Sequence, residues 1–205
     1  ENLSQNNLMA AKLHNSDGSS FDCYYEGKLQ GTVDYSLVGQ HNVNNSLAVI
    51  LAAHSVGIAM PDAIKALNSF KGVARRLEKK AQLPNNIVIF DDFAHHPTAI
   101  ATTIAGLRAK VGTARILAVL EPRSNTMKMG VHQGELIKSL VQADKAYLFA
   151  PTGLGWDIHQ LAQTAPIPTT VQHDINHLVD MLAAEAKAGD QILIMSNGGF
   201  DGIHL

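Results

Sequence analysis

A chain of 205 residues can form one large domain or two small ones, and with 46% hydrophobic and 17% charged residues it can bury a core. A net charge of −2 without an arginine or lysine stripe excludes the electrostatic footprint of a nucleic-acid binder. A single cysteine, Cys23, excludes an intrachain disulfide and points to a reducing, cytoplasmic compartment, and no apolar run approaches the ~20 residues of a membrane span.

Residues 1–20 are polar and predict a strand or two joined by loops. They carry neither a start-like pattern nor a signal segment, so a fragment of something longer is expected. Phe21 to Tyr25, a turn at Gly27, and Leu29 to Tyr35 predict a β-hairpin. Val43, Leu47, Ile50 and Leu51 fall at helical spacing within 41–56, and Pro61 opens a second helix to Phe70. Lys71-Gly72-Val73 breaks the pattern and marks a domain boundary, dividing 1–73 from 74–205.

Beyond it, strands are predicted at 75–81, 87–91, 115–120, 145–149, 169–172 and 191–195. Helices are predicted at 97–110, 131–142, 157–164 and 175–188. This alternation predicts an α/β fold, a Rossmann-like, mostly parallel sheet flanked by helices. In such a sheet ligands bind beyond the carboxyl ends of the strands. The segments just past those ends are 91–96, 121–125, 150–153 and 196–199. They hold carboxylates, imidazoles, a guanidinium and glycines, which together suit an anionic substrate.

Several motifs there carry chemistry, each beside a plainer reading. Asn42 and Asn45 share a helix face and suit a purine or ribose, or one of them caps. Arg75-Arg76 suits a phosphate, or is a solvated pair. Asp91, Asp92, His95 and His96 are the sharpest cluster, fit for a divalent metal or a ribose, or else for capping and packing. Arg123, Ser124 and Asn125 sit in a polar loop, where the arginine offers a fork for a carboxylate or phosphate. Ser196-Asn197-Gly198-Gly199 suits a backbone nest or is a glycine turn. Cys23 reads as a buried small residue. No P-loop and no nucleophile elbow is present in the chain.

Together these motifs resemble the Mur ligases, ATP-dependent enzymes that build peptidoglycan peptide stems. Gly39-Gln40-His41-Asn42-Val43-Asn44-Asn45-Ser46-Leu47-Ala48 is similar to their G-x-H-N-x-x-N-x-L-A segment, and Arg75-Arg76-Leu77-Glu78 to their R-R-[FL]-E. Asp91-Asp92-Phe93-Ala94-His95-His96-Pro97-Thr98 is similar to the D-D-[YF]-A-H-H-P-T of the branch acting on UDP-N-acetylmuramate. Leu120 to Lys128 and Met195 to His204 resemble enzymes of that branch that attach the recycled tripeptide L-alanyl-γ-D-glutamyl-meso-diaminopimelate. They depart from the Q-P-H-R-Y-S-R loop of those adding L-alanine.

The resemblance implies that 1–73 ends a central ATP-binding domain and that 74–205 is the C-terminal substrate domain. The P-loop, a carbamylated lysine and the metal ligands would lie upstream, so the chain alone should not catalyse, and no metal ligand is assigned within it. ATP and Mg2+ are the implied cofactors, UDP-N-acetylmuramate and the tripeptide the implied substrates, and the missing N-terminal and P-loop portions the implied partners. By the same resemblance Asn42 and Asn45 flank the adenine and ribose, Arg76 reaches the ATP phosphates, and Asp92 bonds the ribose. His95 and His96 sit near the γ-phosphate. Arg123, Ser124, Asn125, Ser196, Asn197, Gly198 and Gly199 hold the tripeptide. The alternatives are a fragment of the L-alanine-adding ligase, a stand-alone nucleoside- or peptide-binding module, and a divalent-metal hydrolase built on the Asp-Asp-His-His cluster.

Overall fold

The structure, a computed structural model, describes residues 8–150 and 152–203. The chain divides into two compact units, 1–72 and 73–205.

In the first unit β1 (Met9–Leu13), β2 (Ser20–Tyr25) and β3 (Lys28–Asp34) form an antiparallel sheet in that order. A two-residue turn, Glu26-Gly27, joins the last two. Alternation places Phe21, Cys23 and Val33 on the inner face, where α1 (Gln40–Ser55) and α2 (Met60–Ser69) cover them with Val43, Ile50, Met60 and Ile64. Cys23 is wholly buried, and burial pushes its thiol up to about 11.

In the second unit β4 (Glu78–Gln82), β5 (Val88–Asp92), β9 (Gln191–Met195), β6 (Ile116–Leu120), β7 (Lys145–Phe149) and β8 (Thr169–Gln172) lie side by side in that order. All are parallel except β4, which pairs antiparallel with β5. The connecting helices are α3 (Pro97–Val111), α4 (Asn125–Lys128), α5 (Gln133–Ser139), α6 (Ile158–Gln163) and α7 (Ile175–Glu185).

Every residue of β6 and β9 is buried, as expected of central strands covered on both faces. Ile116, Ala118 and Leu120 pack with Ile100, Ile104 and Leu107 of α3 and Leu136 of α5. Leu117 and Val119 pack with Tyr147, Phe149 and, from α7, Leu178 and Leu182. The chain leaves β5 for β6, moves outward to β8, then returns through α7 to insert β9 between its first two parallel strands. The loops that follow β5, β9 and β6 therefore emerge from adjacent strands.

Two predicted elements differ. Residues 75–77 are not strand: Arg75 and Leu77 take left-handed conformations, φ 57° and 47°, and the strand starts at Glu78. The predicted helix at 131–142 is shorter, α5 over Gln133–Ser139, and an unpredicted short helix, α4, precedes it on the far side of Gly130, whose φ is +74°.

Candidate functional site

The loop after β5 is built on a buried carboxylate. Asp92 is 3% exposed. Its Oδ1 accepts the Ala94 N–H at 2.7 Å and the Thr103 hydroxyl at 3.4 Å, and its Oδ2 accepts the Leu77 N–H at 2.7 Å. Burial pushes this carboxyl above its ordinary value, against those N–H donors and the nearby Arg76 charge. Both oxygens, expected to meet the ribose, accept hydrogen bonds inside the unit and tie residue 77 to residue 94. Asp91 is equally buried and pairs with Arg75 Nε at 3.1 Å. Neither carboxylate is presented to solvent, and no group of three His, Cys, Asp or Glu side chains among the described residues could hold a metal ion. The cluster therefore does not form a metal centre by itself, which counts against the hydrolase alternative.

The two arginines divide their tasks. Arg75 also donates to the Ser196 carbonyl at 2.7 Å, and its own carbonyl receives the Phe93 N–H at 2.8 Å. It bolts the segment before β4 to the loops after β5 and β9. Arg76 is exposed, with its guanidinium 5.7 Å from the Phe93 ring centre. Of the two, it is the one on the exposed surface.

The two imidazoles differ in tautomer. His95 is half-buried, and its Nδ1–H donates to the Phe93 carbonyl at 2.9 Å, which leaves Nε2 as the acceptor in the neutral ring. His96 is exposed and caps α3, its Nδ1 accepting the Thr98 N–H at 3.3 Å, which puts the proton on Nε2. In the neutral rings, the His95 Nε2 is thus an acceptor and the His96 Nε2 a donor. His132 meets His96 edge-to-face at 4.8 Å and pairs with Glu135 at 3.1 Å.

The loops after β6 and β9 interlock. Glu121, 1% exposed, accepts the Ser196 hydroxyl at 2.5 Å on Oε2, and its Oε1 lies 3.7 Å from Arg123 Nη1. Ser196 is wholly buried, and its Oγ also accepts the Gly198 N–H at 3.0 Å. This hydroxyl, expected to meet the tripeptide, makes its contacts within the unit. Arg123 and Asn125 are exposed. Ser124 caps α4, its Oγ accepting the Met127 N–H at 3.4 Å. Asn197 keeps a buried Oδ1 with no hydrogen-bond partner among the described residues, and Gly198 and Gly199 complete the turn beside it. Arg75, Glu78, Lys80, Asp91, Gly198 and Gly199 line an open depression of about 650 Å³.

The loop after β7 joins the same edge. Trp156 donates its indole N–H to the Met127 carbonyl at 2.7 Å, and the Gly155 N–H donates to the Lys128 carbonyl at 3.0 Å. A Cβ on Gly130 would stand 2.9 Å from the indole, so the loops close on each other only with glycine there. Nothing local in the sequence marks Trp156 or Glu121, because both act across loops.

In the first unit, Asn42 is half-buried and its amide donates to the Val38 carbonyl at 2.8 Å, which fixes the entry to α1. Asn45, one turn on, is exposed. Neither is the N-cap, which is Gly39.

A family model described as "Mur ligase, glutamate ligase domain" matches residues 75–198. The chain belongs to the Mur ligase family. It is 48% identical over 195 residues to the UDP-N-acetylmuramate–L-alanyl-γ-D-glutamyl-meso-2,6-diaminoheptandioate ligase of Escherichia coli, covering 95% of this chain and 42% of that one. A murein peptide ligase from Psychrobacter arcticus is 40% identical with a TM-score of 0.71, covering 98% of this chain and 44% of that one. A domain assigned to such a ligase from Haemophilus ducreyi is 46% identical with a TM-score of 0.53, covering 63% of this chain and 94% of that one. This Mur ligase chain thus spans less than half the length of the curated relative it matches.

Proposed function

We propose that this chain is the C-terminal part of an ATP-dependent ligase that joins UDP-N-acetylmuramate to L-alanyl-γ-D-glutamyl-meso-diaminopimelate in peptidoglycan recycling. The observation that carries the reading is the 48% identity across 95% of the chain to a ligase of that name. Residues 1–73 are read as the end of the central nucleotide domain and 74–205 as the peptide domain. The remaining central and N-terminal portions are the partners of these two. The lone buried Cys23 fits a cytoplasmic setting.

ATP, when bound, supplies the phosphoryl group that turns the muramate carboxylate into an acyl phosphate, with Mg2+ held by residues outside this chain. Asn45, on the open face of α1, with Asn42 behind it, contacts the nucleoside. Arg76 faces the phosphates, and the His96 Nε2–H donates to a phosphoryl oxygen where charge develops. The peptide amine attacks the acyl carbon and phosphate leaves. The amine's proton passes to an acceptor such as His95 Nε2. Arg123 and Asn125 receive the peptide, with the Gly198-Gly199 backbone. Asp92, Ser124 and Ser196 act behind these groups by holding their loops.

Calorimetric titration of the chain with the tripeptide tests the reading. Binding is expected, and Arg123→Ala should weaken it by about tenfold or more, the loss of one charge-assisted contact. ATP turnover by the chain alone is expected to be nil. Absence of tripeptide binding at millimolar concentration would sink the assignment of a peptide site here.

A further inference from the structure

A carboxylate that is 1% exposed is costly to keep, and Glu121 is one. Its partners offset only part of that cost. Ser196 donates one hydroxyl at 2.5 Å, but Arg123 Nη1, at 3.7 Å, is beyond hydrogen-bond range. A glutamine could accept the Ser196 hydroxyl equally well without burying a charge. What the carboxylate adds is attraction for the guanidinium.

That guanidinium has a defined place. A Cβ on Gly198 would lie 2.6 Å from Arg123 Cδ and Nε and 2.8 Å from Cζ, so the arginine occupies the space that only glycine leaves. Ser196 Oγ fixes both sides of this arrangement, donating to Glu121 and accepting from the Gly198 N–H. The Arg123 side chain remains 46% exposed. Its inner edge faces Glu121 and its outer edge is left for a ligand.

We propose that Glu121 is a positioning residue that, with Ser196 and Gly198, sets the Arg123 guanidinium to receive a carboxylate of the acceptor peptide. This rests on the tripeptide reading above. An arginine on a surface loop loses side-chain freedom when it grips a ligand; one already drawn onto Gly198 by a fixed carboxylate loses less. Glu121 never touches the peptide. It acts through where Arg123 waits.

The test is a cycle of calorimetric titrations on the 205-residue chain. The ligands are the tripeptide and the same tripeptide with its diaminopimelate carboxylates amidated. The proteins are wild type, Glu121→Gln, Gly198→Ala and Arg123→Ala. Glu121→Gln is expected to weaken tripeptide binding about tenfold, and amidation should then cost much less than it costs wild type, because both changes remove one contact. Gly198→Ala unseats Arg123 without touching Glu121 and should show the same non-additivity, so the test survives if Glu121→Gln folds poorly. If Glu121→Gln binds like wild type while Arg123→Ala does not, the positioning role is wrong and the peptide site stands. Independent, additive losses from Glu121→Gln and amidation would also overturn it, showing only a structural role. If Arg123→Ala binds like wild type, the peptide reading of this loop falls and the positioning role falls with it.

Discussion

Asp92 and Arg76, expected to serve one nucleotide, do opposite things in space. Asp92 is turned inward, where it gathers the N–H groups of Leu77 and Ala94. Arg76 stands outward over Phe93. An asparagine at 92 would have to aim its NH2 group at one of those N–H donors, orphaning a buried pair. Relief of the buried charge returns part of the loss, and Asp92→Asn is expected to cost about 1–2 kcal/mol in urea unfolding. An unchanged midpoint would show that water or backbone movement replaces the carboxylate. Cys23 offers a second check. With its thiol pushed up to about 11 and no exposed surface, it should react with a thiol reagent only at the rate of unfolding. Prompt labelling in native buffer would contradict the hairpin's packing. The D-D-F-A-H-H stretch announced that chemistry clusters here. It did not announce that both carboxylates turn inward, because that depends on Arg75 and on the Leu77 N–H, 16 and 15 residues away.

At the scale of elements, stability and chemistry sit at opposite ends of the strands. The amino ends of β6, β7 and β9 carry an ion network. Arg115 donates to both oxygens of Asp190, at 3.0 and 2.6 Å, and Glu185 at the end of α7 receives Lys145 and Tyr147, each at 2.5 Å. Burial alone would raise the Asp190 carboxyl, but the Arg115 fork and the Lys187 N–H hold it below its ordinary value. Glu185 is lowered by its bonds from Lys145 and Tyr147. A lowered folded-state value stabilises the fold above the unfolded-state value, and that stabilisation is lost as pH falls through the folded one. The melting temperature should therefore drop below about pH 4. Asp190→Asn should cost about 2–3 kcal/mol at pH 7 and flatten that drop. A mutant with an equally steep acid transition would place the acid sensitivity elsewhere. The strands themselves were plain in the sequence, since wholly buried runs such as Ile116–Leu120 have no other use. The short helix α4 ahead of α5 was not, because the turn at Gly130 that parts them answers to Trp156, 26 positions on in the chain. The left-handed turn at Arg75 and Leu77 was hidden for the same reason: Glu78 and Asp92 impose it through hydrogen bonds to their N–H groups.

Over the whole molecule, the break between the two units falls in a stretch with no helix or strand, from Phe70 to Leu77, in which Lys71 is exposed. Limited trypsin digestion should cut first after Lys71 and leave 72–205 intact, as mass spectrometry would show. The second unit has its own buried core and is expected to hold together alone. Simultaneous loss of both pieces would argue against that.

The last strand in sequence, β9, is the one that fills the middle of the sheet. A ribosome delivers the chain from its amino end, so β5 and β6 emerge with a strand-wide gap between them that nothing can close until residues 191–195 arrive. Ser196, which links Glu121 to Gly198, comes directly after. The loops after β6 and β9 thus cannot interlock until that strand is in place. A chain cut short before Gln191 would lack both the middle strand and the link through Ser196.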